Sequence, residues 1–263
     1  MCFLGAGQKC PDARRQQARE EAYLNGTLTK RVCWQRRRWA FFTSPIKKLL
    51  YLLPLLLIAL PANAGFVVDN FEQYPEGKLP SSWRTWPFQR GKAARVYITT
   101  KSEDGNKFLS ATDADNISVQ IMKDFNWNII AYPTLSWRWM AITLPAGANE
   151  TNPEINDSAC GVYVVFSKAR QEMLKYTWST TVPAETVYEK RPGKAYIVIK
   201  ESGETKLGKW QTHTVNVKED YKKIFHRELD KNPAGIAVLT DGNATSTKAS
   251  CNYDDFSVGE AIK

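Results

Sequence analysis

Leu135-Ser136-Trp137-Arg138-Trp139 and Gly161-Val162-Tyr163-Val164-Val165-Phe166 are the two stretches on which the fold turns. In the first, Leu135, Trp137 and Trp139 alternate with Ser136 and Arg138, the period-two pattern of a strand with one buried face. The second is apolar at both parities, which reads as a central strand covered on both sides. Downstream, Leu174, Tyr176 and Trp178 share a face opposite Lys175, Thr177 and Ser179. Near the end, strict alternation sets Asn252, Asp254, Phe256 and Val258 against Tyr253, Asp255 and Ser257. Similar strand-type segments fall at 66–71, 93–100, 107–112, 116–123, 194–200, 209–217 and 234–240, punctuated by Gly, Pro, Asn and Asp. The one helix-like stretch is 218–229, around Tyr221, Ile224 and Phe225. Many strands with almost no helix predict an all-β fold: a two-sheet antiparallel β-sandwich, jelly-roll-like, forming a single domain over 65–263.

Charge separates that domain from what precedes it. The chain carries a formal +9, but residues 1–64 hold 11 Lys and Arg against 3 Asp and Glu, a net +8. The remainder is almost neutral and has no basic run that could follow a phosphate backbone, which argues against nucleic acid as a partner. Within 45–64, Lys47 and Lys48 precede the apolar run Leu49–Leu60, and Pro61-Ala62-Asn63-Ala64 closes it with small residues at the two positions a signal peptidase reads. The run is shorter than the ~20 residues of a membrane span and contains Pro54. It reads as a cleavable signal peptide, placing the domain in the periplasm or outside the cell with no stable membrane span after cleavage. Residues 1–44, polar and Arg-rich, read as a disordered extension or as sequence upstream of the true start. Removing 1–64 leaves Cys160 and Cys251, an even pair for an oxidising compartment and a candidate disulfide.

Taken in order, several segments form a recognisable set. They are Leu135-Ser-Trp-Arg-Trp139, Leu144-Pro-Ala-Gly-Ala148, Asp157-Ser-Ala-Cys-Gly-Val-Tyr-Val-Val-Phe166, Leu174-Lys-Tyr-Thr-Trp-Ser179, Gly235-Ile-Ala-Val-Leu-Thr-Asp241 and Tyr253-Asp-Asp-Phe256. The chain resembles, over nearly all of 66–258, the bacterial exported family catalogued as domain of unknown function 3047. The resemblance implies one β-sandwich domain and supplies no catalytic residues. The pair Cys160 and Cys251 is not implied by it.

Chemistry-bearing motifs are sparse. There is no G-x-S-x-G, H-E-x-x-H or C-x-x-C, and the two histidines are His213 and His226. Three candidates stand out. Asp69 and Glu72 near the first strand, with Asp254 on the last, would gather if those strands pair, and clustered carboxylates need a cation such as a structural calcium. Trp83 and Trp86, in a Pro- and Ser-rich loop, and Trp178 could stack on sugar rings. Arg138, opposite Trp137 and Trp139, needs a carboxylate partner such as Asp157 if it lies in a groove. Three functions fit: a non-catalytic module binding a glycan or envelope polysaccharide, a glycoside hydrolase or polysaccharide lyase acting in a concave groove, or a structural or interaction protein of the envelope. Enzymatic activity is open, leaning against.

Overall fold

A computed structural model describes residues 65–261; the signal-like segment at 45–64 and the extension at 1–44 lie outside them. Twelve strands form two six-stranded sheets. The first contains β1 (Gly65–Asp69), β2 (Tyr97–Lys101), β3 (Lys107–Asp113), β5 (Thr134–Thr143), β10 (Gln211–Asn216) and β12 (Ala249–Gly259). Their order is β10-β5-β12-β3-β2, and β1 pairs with the far half of β12, where β3 has ended. The second sheet runs β4 (Ile121–Asp124), β11 (Gly235–Asp241), β6 (Ser158–Ser167), β7 (Glu172–Ser179), β9 (Ala195–Ser202) and β8 (Val187–Arg191). All pairs are antiparallel except β7–β9, which is parallel. This is the expected all-β sandwich.

The core lies between the sheets and is built by the alternation. Leu135, Trp137, Trp139 and Ala141 of β5 face Leu174, Tyr176 and Trp178 of β7, all fully buried. Aromatic contacts cross the layer, with Trp137–Tyr176 at 5.4 Å and Trp139–Trp178 at 6.4 Å between ring centroids. Each such ring buries on the order of 150–250 Å², so a few of them dominate the energetics of the layer. Tyr253 of β12 reaches through to the second sheet. Its hydroxyl accepts from the Gly161 amide at 3.0 Å and donates to the Leu239 carbonyl at 3.1 Å. The Cys160–Cys251 disulfide joins β6 to β12, with Cα atoms 5.4 Å apart, and so ties one sheet to the other.

Strict alternation fails on β12. A bulge between Asp254 and Ser257 breaks the register with β5, and Asp255 takes a left-handed conformation, φ 53°. The Asp255 amide donates to the carboxylate of Asp254 at 2.8 Å. The extra residue turns both Tyr253 and Phe256 inward, where strict alternation had opposed them, and leaves Asn252 and Asp254 on the outer face. Helices were also under-read. α1 (Arg90–Val96) occupies the first half of the segment expected to be strand at 93–100. α2 (Val217–Phe225) starts at Asn216, whose side chain accepts from the Glu219 amide, and stops at His226, φ 56°. It caps one end of the core by stacking Tyr221 and Phe225 at 4.3 Å and packing Tyr221 on Phe166 at 4.7 Å.

Candidate functional site

The outer face of the second sheet is not the solvated surface its polar residues suggest. Lys175, Thr177 and Ser179 of β7 are as buried as their inward neighbours. The loops at 145–157, 180–186 and 241–248 wrap over one end of this face. The Thr181 hydroxyl donates to the Ala148 carbonyl at 2.8 Å, and the Glu185 amide to Ile199 at 2.7 Å. The segment Arg84–Gln89 overhangs the other side, anchored by backbone bonds of 2.7 Å between Arg84 and Met122. Between them lies an open cleft of about 650 Å³, within the range of ligand sites.

The floor of the cleft is apolar and belongs to the sheet itself. Tyr163 and Val165 of β6, Met173 of β7, Met122 of β4 and Leu239 of β11 pack together beneath it. Trp86 stands on the rim with 69% of its surface exposed, the rarest placement for so large an apolar side chain. At the covered end, Lys175 is 3% exposed. Its ammonium donates to Ser158 Oγ at 2.9 Å and sits 5.6 Å from the centroid of the Tyr163 ring. Burial works against its charge, but the Tyr163 hydroxyl, Asp241 and Glu150 outweigh that and raise its pKa. Burial likewise pushes the Asp241 carboxyl up, against the pull of Lys175. Lys190, an exposed residue of β8, also lines the cleft; partial desolvation of its ammonium and the neighbouring Lys175 charge lower its pKa. Space for Lys175 is made by Gly161 on the adjoining strand, where a Cβ would lie 2.7 Å from Lys175 Cε.

Of the tryptophans proposed as sugar platforms, Trp86 alone is on a surface. Trp83 and Trp178 are fully buried. Trp83 stacks on Phe71 at 5.7 Å and donates through Nε1 to Asp69; Trp178 donates to the Gly203 carbonyl at 3.0 Å. Both are core residues, because each indole finds its polar partner inside the protein.

The first and last strands do pair, yet Asp69, Glu72 and Asp254 do not converge. Asp69 lies opposite Phe256 and points inward, where Lys123 Nζ (2.7 Å), the Tyr74 hydroxyl (2.7 Å), the Phe71 amide and Trp83 all donate to it. Burial pushes its carboxyl up, but the bonds from Lys123, Phe71 and Tyr74 together bring it below its ordinary value. Glu72 accepts from the Lys107 amide at 2.9 Å. Asp254 is held on the outer face of the first sheet by Arg138 and Asn106. Lysine and arginine supply the positive charge that a calcium ion had been expected to bring. Among the described residues no three His, Cys, Asp or Glu side chains gather as a cation cage.

Arg138 does form an ion pair at a groove, with a different partner. Register sets it opposite Asp254, which it meets at 2.6 Å, and the bulge brings Asp255 to 2.8 Å. Its guanidinium lies 4.6 Å from the Trp210 ring centroid, in a shallow recess shared with Phe108, Asn106 and Asp104. Asp157 is far from it in the second sheet. There it is buried and accepts from the amides of Ala244 and Thr245 and from the Thr245 hydroxyl, holding the 241–248 loop. The residues missed in the sequence, Lys175 and Lys190, carried one signal. Lys175 is a charged side chain in the middle of a strand rich in large apolar residues.

No curated protein matches the chain in sequence. Among solved structures, loose likenesses occur to the family 11 carbohydrate-binding module of cellulase Lic26A-Cel5E of Clostridium thermocellum (10% identity, TM-score 0.39, covering 77% of this chain and 98% of that one). Another is the xyloglucanase domain of NopAA from Sinorhizobium fredii (11%, 0.37, 72% and 97%). A third is the K2 cleaved adhesin domain of Lys-gingipain (12%, 0.37, 75% and 99%). Superpositions this loose carry no information on ligand or activity. Family membership rests instead on sequence: residues 81–257, which run from the loop before Trp83 through the disulfide-bearing strands to the β12 bulge, match the family model described as Protein of unknown function (DUF3047), and the chain belongs to that family.

Proposed function

We propose that the domain is an exported, non-catalytic glycan-binding module whose site is the cleft on the outer face of the second sheet. The observation that carries this reading is the pairing of an exposed Trp86 on the rim with a sheet-floored cleft of about 650 Å³. Sugar rings present apolar C–H faces that stack on an indole, while their hydroxyls take hydrogen bonds from groups such as Gln89, Gln120 and Lys190 on the walls. A preformed cleft on a rigid sheet keeps the ordering cost of binding low. Hydrolysis of a glycosidic bond takes two carboxyls facing the bond. The cleft lining offers one, Asp124, and it is engaged by Arg84 at 3.3 Å and Lys168 at 2.5 Å. This favours binding over hydrolysis. The inter-sheet disulfide and the signal-like stretch at 45–64 support a site of action outside the cytosol.

Affinity electrophoresis and calorimetry against a panel of soluble polysaccharides test the reading. At least one should bind, and Trp86→Ala should weaken it about tenfold, as loss of a stacking aromatic worth about 1–1.5 kcal/mol requires. Unchanged affinity in Trp86→Ala, or no binder in the panel, would refute it.

A further inference from the structure

The charge of the cleft specifies the glycan further. Five cations line it, Arg84, Lys168, Lys175, Lys190 and Arg191, against the single carboxylate of Asp124. Asp124 is shared by Arg84 and Lys168. Among the described residues, Lys175, Lys190 and Arg191 form no ion pair with any carboxylate. Three acids do lie behind the wall, but their oxygens are committed elsewhere. Glu150 accepts from Ser158 and Ser179, Asp241 from the Ser158 amide and Ser118, and Asp157 from the 244–245 backbone. None of the three forms an ion pair with Lys175.

Lys175 itself is an unfinished interaction. An ammonium has three donors, and within the protein this one has Ser158 Oγ and the neighbouring Tyr163 hydroxyl as acceptors, which leaves one donor over. A buried cation with a donor to spare is costly unless a further acceptor completes it. Lys190 on β8 lines the same cleft. Lys175, Lys190 and Arg191, three cations without a carboxylate partner in one open cleft, form a receptor for an anion. Trp86 at the other side calls for a ring.

We propose that the cleft binds an acidic polysaccharide, with a uronate-type carboxylate seated against Lys175 and Lys190 and the sugar ring running toward Trp86. The proposal rests on the glycan-binding reading and adds the substrate class. Arg191 extends the cationic line along the rim, where its guanidinium donates to the side chain and the carbonyl of Gln171.

The test uses the full chain, three polyuronates (a galacturonan, a mannuronan and a hyaluronan) and the same polymers with their carboxyls esterified. At least one polyuronate should bind tenfold or more tighter than its neutral ester at about 50 mM salt, where exposed charges are weakly screened. The exposed double variant Lys190→Ala/Arg191→Ala should reduce that preference about tenfold and leave the melting temperature unchanged. Gly161→Ala is the second probe. It displaces Lys175 while keeping every charge, and should also erode the preference. Equal binding of acid and ester would overturn the acidic class but leave glycan binding intact. No binding by any polymer, acidic or neutral, would overturn both. Single-stranded DNA or polyphosphate binding as tightly as the best polyuronate would also overturn the proposal, because the cleft would then select charge and not sugar.

Discussion

Removing the Cys160–Cys251 bridge by the double substitution Cys160→Ala/Cys251→Ala should cost the domain a large part of its stability. The bridge closes a loop of 91 residues. In the chain-entropy description, a loop of that size removes about 15 cal/mol/K from the unfolded chain, or about 4.6 kcal/mol at 25 °C. Both sulfurs are fully buried, so their loss subtracts packing as well, and alanine avoids burying a hydroxyl in their place. For a domain of this size, each kcal/mol corresponds to roughly 2–4 °C of melting temperature, so a drop of about 9–18 °C is expected. Urea unfolding followed by fluorescence of the buried tryptophans measures it. The slope against urea should also steepen, since an uncrosslinked unfolded chain exposes more surface. A second arm compares oxidised protein with protein reduced in urea and refolded under reductant. That arm leaves the sulfurs in place and should lose the entropic part alone. A loss below about 1.5 kcal/mol in the double variant would refute the reasoning, because it would mean that the two sheets already restrain each other in the unfolded ensemble.

Other perturbations have equally definite outcomes. Asp69→Asn leaves Lys123 without its buried counter-charge and should cost about 3–5 kcal/mol in urea unfolding. The folded pKa of Asp69 is lowered, so its contribution is present above the unfolded value near 4 and lost as pH falls through the folded one. The variant should therefore lose acid-dependence that the parent shows below pH 4. Burial lowers the His213 pKa against the opposing pull of Glu201. Stability should accordingly be present above about pH 6.5 and decline as pH falls below it, and His213→Gln should flatten that part of the profile. Arg138→Met strands a buried Asp254, whose carboxyl is already pushed up by burial, and should cost about 3 kcal/mol while leaving the proposed glycan binding at the second-sheet cleft unchanged.

The strands were legible because burial on one face writes itself as period two, as in Leu135-Trp137-Trp139 and Leu174-Tyr176-Trp178. The central position of β6 was legible because both parities were apolar. Cys160 and Cys251 could be paired from compartment and count, and β1 does lie beside β12. What escaped was set by long-range events. Asp255 entered a left-handed turn, and one residue of bulge reversed the faces of everything after it. β8, Val-Tyr-Glu-Lys-Arg, is an exposed edge strand whose pattern carries no burial signal. The platform role assigned to Trp83 and Trp178 failed because exposure of an aromatic depends on which loop covers it. The burial of Lys175 escaped for the same reason: alternation places it on the outer face, and which groups cover that face is set by distant parts of the chain.

The placement of β12 also governs how this domain comes into being. Residues 249–259 are the strand that β1, β3 and β5 all pair with. Until that strand arrives, β1 has no sheet to join and Cys160 lacks its partner Cys251. The β2–β3 and β5–β10 pairs can form first, but they join into one sheet only when β12 enters between them, so that sheet closes late. Such a polypeptide leaves its closing step to the last strand made, and the two-sheet core locks only when that strand is in place.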